Sequence, residues 1–153
     1  NLSNNEARLE FEVDCIVPVT INIRPGTFPN SVHPKEDKVP VAVLSTRSGE
    51  YDTLLDFNAA RIFPLTVRFG SRSQILAGKG QASPLHGFSE VEDSFEPDDL
   101  TRDGDKDMVL TFGAIDSDLG ADTTEACVIG QGFVWGERHT FFGCDTVQVN
   151  ANN

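Results

Sequence analysis

The chain has 153 residues, 39% of them hydrophobic, with 24 acidic against 12 basic side chains and a formal net charge of −12. That is one domain's worth of polypeptide, apolar enough for a real core and too evenly mixed to be disordered. The charge disfavours nucleic acid or anionic lipid as partner and favours cations, and no apolar run approaches the ~20 residues of a membrane-spanning helix.

Asn1, with no initiator methionine or leader ahead of it, reads as a processed start, and Asn1-Leu2-Ser3 is a sequon that makes Asn1 a candidate glycosylation site. From Leu9 to Ile23 the odd positions are apolar (Leu9, Phe11, Val13, Cys15, Val17, Val19, Ile21, Ile23), while the even ones are mostly charged or polar. This predicts an extended ribbon with one apolar face. Fifteen strand residues span about 50 Å, more than the ~40 Å width of a compact domain of this size. Pro18 removes a ladder donor, so the ribbon is predicted to divide there, with Pro18 at a sheet edge or at a change of sheet. The chain then divides into an N-terminal arm, residues 1–17, and a body, residues 18–153. Two destinations for the arm stay open: an edge strand of its own domain, or a strand donated through Leu9, Phe11 and Val13 to a neighbouring copy.

Pro25-Gly26 suits the centre of a type II turn, and Val39–Leu44, apolar on both faces, suits a central strand. Leu54–Ala60 is the one segment expected to make a helical turn. Leu65, Val67 and Phe69 alternate with Thr66 and Arg68 as a half-buried strand, and Ser71–Gln81 reads as a mobile loop. Asp99 to Phe112 carries the strongest motif. Counting Asp99 as one, oxygen-bearing side chains fall at one, three, five, seven and nine (Asp99, Thr101, Asp103, Asp105, Asp107), with Gly104 at six, where a calcium loop turns sharply. Leu110 replaces the twelfth-position Glu of an EF-hand, and Met108–Phe112 reads as a strand, so the segment is a β-type calcium loop; the plainer alternative is a solvated acidic turn. Glu125–Trp135 and His139–Val149 form a hairpin across Gly136-Glu137, which places Cys127 and Cys144 on one face at diagonal positions as the favoured disulfide. With Cys15 as the third cysteine, other pairings, or three buried thiols, stay open. Short strands between turn signals, with almost no helical periodicity, predict an all-β sandwich of Ig-like or jelly-roll-like antiparallel type, with a calcium loop and an extended N-terminal strand.

Val19-Thr-Ile-Asn-Ile-Arg-Pro-Gly-Thr-Phe-Pro-Asn30, Val39-Pro-Val-Ala-Val-Leu44, Thr66-Val-Arg-Phe-Gly70, Asp99 to Phe112, Thr124-Glu-Ala-Cys127 and Asp145-Thr-Val147 occur in this order. Over about residues 15–149 the chain resembles a domain recurrent in secreted bacterial and archaeal proteins. The resemblance implies an extracellular β-domain without known catalysis. It also implies a calcium loop like those of integrin-type propeller repeats and dockerins, with Asp99, Thr101, Asp103, Asp105 and Asp107 as ligand positions. Thr101 departs from the usual Asn or Asp.

Catalytic constellations are thin. His33, His86 and His139 are scattered, no Gly-x-Ser-x-Gly or His-Glu-x-x-His occurs, and the cysteines lack zinc spacing. The sequence therefore reads as a non-enzymatic secreted calcium-binding protein. One reading is a structural subunit polymerising head-to-tail by strand addition; the other is a binding module for glycans or a partner protein, with Trp135, Phe133, Phe141 and Phe142 as a sugar platform set against their use in hairpin packing.

Overall fold

The computed structural model describes residues 16–26, 30–35, 38–47, 56–79, 82–85, 89–92, 94, 106–117 and 119–150. They form an all-β sandwich of two four-stranded sheets. The first has the order β1 (Val17–Pro18), β9 (Glu137–Thr146), β8 (Glu125–Val134), β5 (Ile62–Ser71); the second has β2 (Ile21–Ile23), β4 (Val39–Val43), β7 (Asp107–Phe112), β6 (Ser89–Glu92). A small parallel pair joins β3 (Ser31–Val32) to β10 (Gln148–Val149). The pairings within the two large sheets are antiparallel, except that β1 runs parallel to β9.

The alternation in the sequence accounts for the core. In β4 and β7, Val39, Val41 and Val43 pair across from Phe112, Leu110 and Met108, and all six are buried. In β8 the even residues Ala126, Val128 and Val134 face inward, and Phe69 stacks on Phe112 between the sheets with centroids 5.1 Å apart. Burying side chains of this size stabilises by about 1.5–3 kcal/mol each.

Pro18 lies on the edge strand and the chain changes sheet directly after it, as its missing donor requires. The Val19 N–H still donates to the Phe142 carbonyl at 3.0 Å, whereas the next carbonyl, of Thr20, already accepts from Leu44 at 2.9 Å in the other sheet. Gly143 permits the crossing: a Cβ there would sit 2.4 Å from the Val19 carbonyl oxygen.

Several local expectations are corrected. The hairpin turns at Trp135-Gly136, one residue earlier than predicted, with Val134 opposite Glu137 and both turn residues at positive φ (55° and 79°). A two-residue turn with both φ positive matches the strand twist and places glycine second, which pulls Trp135 into the turn. The shift sets Cys127 directly opposite Cys144 instead of diagonal, and the two form a disulfide on the outer face of the first sheet. Ser71–Gln81 contains a helix, α1 (Arg72–Leu76): Ser71 Oγ accepts from the Gln74 N–H, Ile75 is buried, and Gly78 follows at φ 75°. Helical turns are also not confined to the Leu54–Ala60 region, since 3₁₀ turns occur at both Ala59–Arg61 and Ala114–Asp116. Leu65 is 82% exposed because β5 bulges between Phe63 and Arg68, taking it out of the alternation that buries Val67 and Phe69.

Candidate functional site

Of the five calcium-ligand positions, Asp107 is described; Asp99, Thr101, Asp103 and Asp105 lie outside the described residues, as do Leu9, Phe11, Val13, Cys15 and Asn1. Asp107 opens β7 and is 1% exposed. Its Oδ1 accepts the Ser45 N–H at 2.8 Å and its Oδ2 the Ser94 N–H at 3.0 Å, tying the end of the acidic segment to two other segments. Ser45 extends the connection: its Oγ donates to the Lys106 carbonyl and accepts the Ala59 N–H at 2.9 Å, fixing the 3₁₀ turn Ala59–Arg61. Among the described residues no group of three or more His, Cys, Asp or Glu side chains is gathered for a metal.

Two other motif positions prove structural. Asn30, 1% exposed, donates from Nδ2 to Asp145 Oδ2 and to the Thr146 carbonyl, each at 2.8 Å, while Asp145 Oδ2 also accepts the Ile23 N–H at 3.0 Å. This knot ties β2 and the β3–β10 pair to the end of β9.

The four aromatics proposed as a sugar platform do not gather into one. Phe141 is buried in the core, 5.9 Å from Phe57, because odd residues of β9 face inward. Phe142 lies on the outer face with the Arg72 guanidinium 5.7 Å from its ring centre. Trp135 and Phe133 are 67% and 43% exposed, and both line an open cleft of about 750 Å³ at the hairpin end of the sandwich.

The rest of that cleft comes from distant sequence. Thr46 and Phe57 pair through two backbone bonds, 3.0 and 2.8 Å, and bring Arg47 and Asp56 into its wall. Asn58 caps the 3₁₀ turn by accepting the Ala60 N–H at 3.0 Å through Oδ1, and the turn presents Arg61. A smaller cleft of about 400 Å³ shares Thr46, Arg47, Phe57 and Asn58 and adds Lys106. Thr46 is 4% exposed and its Oγ1 has no hydrogen-bond partner among the described residues. Among the described residues, three cations and one carboxylate, Asp56, therefore border joined clefts in a chain that is strongly acidic overall. Trp135 also sits in a left-handed conformation that costs a non-glycine residue about 1–2 kcal/mol. Its ring meets His139 edge-on at 6.2 Å.

The chain matches no family model and no curated protein.

Sequence reasoning singled out Trp135 and Phe133 but missed Asn58, Arg61, Arg47 and Thr46. No spacing rule connects them to the hairpin; the one available signal was a bulky aromatic beside Gly136 in a turn.

Proposed function

We propose that the protein is a non-enzymatic extracellular structural subunit that polymerises head-to-tail by donating its N-terminal segment as a strand. The observation that carries this reading is the place of β1. It is two residues long, Val17 and Pro18 running parallel to Phe141 and Phe142 at the edge of the first sheet, while the apolar alternation of the sequence begins upstream of it at Leu9. Leu9, Phe11 and Val13, alternating with Glu10 and Glu12, have the pattern of a donated strand, and a sheet edge on the next copy would receive it. Calcium held by Asp99, Thr101, Asp103, Asp105 and Asp107 stiffens the loop ahead of β7. Electron microscopy and size-exclusion chromatography, with calcium and with EDTA, test the reading. Polymers are expected from the full chain, and folded monomers from a chain lacking residues 1–14. A full chain that stays monomeric in both conditions, or a deletion that melts the monomer instead of blocking assembly, overturns it.

A second reading, a calcium-dependent module that binds glycans or a partner protein, is favoured by the cleft under Trp135. Its calcium dependence would run through the bonded series Asp107, Ser45 and Ala59, which links the acidic segment to the cleft wall. Affinity for a glycan array that is equal in calcium and EDTA removes the calcium part of this reading, and an array blank in calcium removes the reading.

A further inference from the structure

We infer that the cleft under Trp135 binds an acidic pyranose, a sugar ring carrying a carboxylate, such as a uronic acid within a polysaccharide. The inference rests on the binding-module reading and gives it a ligand class. The cleft's volume, about 750 Å³, falls within the ordinary range for small-ligand sites. Its lip is a single indole, 67% exposed, carried by the hairpin turn. The flat negative face of an indole suits the slightly positive C–H face of a pyranose.

The cations supply the second half of the recognition. Arg61 and Lys106 make no ion pair among the described residues, in a chain whose net charge is −12. An arginine fork matches a carboxylate with two parallel bonds, and Arg61 lies in the same cleft wall as the indole. Asn58, whose Oδ1 is occupied by its cap bond, offers its Nδ2 donors to ring hydroxyls. A neutral sugar would leave the arginine without its partner.

Trp135 is the single tryptophan, so intrinsic fluorescence reports on this cleft without a label. The probes are a galacturonic acid trisaccharide, its methyl ester and a neutral galactose trisaccharide, titrated into the full chain with calcium present. The acid is expected to shift Trp135 emission saturably, with at least about tenfold weaker binding for the ester, and with Arg61→Gln reproducing that loss while the unfolding midpoint holds, since one charge-assisted pair is removed in each case. Equal binding of acid and ester, or full binding by Arg61→Gln, overturns the inference and leaves the binding-module reading standing. No response to any of the three, together with a blank glycan array, overturns both. A response only to a peptide of residues 2–14 also overturns the inference and gives the cleft to the arm.

Discussion

Asp107→Asn separates an internal staple from a cation ligand. In the folded chain the two carboxylate oxygens take the Ser45 N–H at 2.8 Å and the Ser94 N–H at 3.0 Å at a position 1% exposed. Asparagine offers one acceptor oxygen, so one of these N–H groups faces an amide NH₂ and the surviving bond loses its charge. A buried unsatisfied N–H costs about 1–3 kcal/mol, and a bond to a charged group exceeds a neutral one by about 1 kcal/mol. The substitution therefore lowers stability by about 2–4 kcal/mol, or roughly 4–16 °C in melting temperature for a chain of this length. Urea unfolding followed by circular dichroism, in EDTA and in millimolar calcium, checks both the size and the cause. A staple alone gives the same loss in both; a residue that also faces calcium gives, in addition, a smaller rise in midpoint on adding calcium. A midpoint unmoved in EDTA would refute the argument, because the substituted side chain cannot satisfy both N–H groups.

Replacing Cys127 and Cys144 together by alanine opens a 17-residue loop, with an expected loss of about 3 kcal/mol, read as a melting temperature lower by about 6–12 °C. Gly143→Ala drives a methyl against the Val19 carbonyl, 2.4 Å from the ideal Cβ, and is expected to cost about 1–3 kcal/mol and to speed amide exchange at Val19; unchanged exchange would count against the crossing described above. Leu65→Ser, at a position 82% exposed, is expected to stay within about 0.5 kcal/mol of the parent, whereas a loss near 2 kcal/mol would put Leu65 in the core and remove the bulge.

The alternation of apolar residues made much of the sandwich legible, since the period of two is imposed wherever one face of a strand is buried. β7 and the β8–β9 hairpin follow from it directly, while β4 was legible as a run apolar on both faces and the division of the N-terminal ribbon from the missing donor of Pro18. Where conformation depended on one or two residues, the pattern misled. Five residues of helix after Ser71 are too short to show a helical period, and a bulge silently moves Leu65 to the outside of a strand whose sequence still alternates. The turn shifted by one residue because glycine's backbone freedom outweighed the poor fit of Trp135 to the same turn. The cleft was half legible: its aromatics stood out, while Asn58 and Arg61 reach it only because Thr46 pairs with Phe57 and Ser45 holds Ala59. Asn30 and Asp145 were visible as motif positions, yet their meeting depends on β3 lying beside β10, a parallel pairing that no local signal encodes.

The parallel course of β1 along β9 also has a mechanical meaning. The N-terminal end of β1 faces the hairpin end of β9, so tension applied along β1 is directed along the strand axis, and the bonds to β9 are sheared together instead of being peeled one at a time. Within three residues the same tension reaches the second sheet, through the Thr20 carbonyl and the Leu44 N–H. A pull along β1 is thereby shared between both layers of the sandwich.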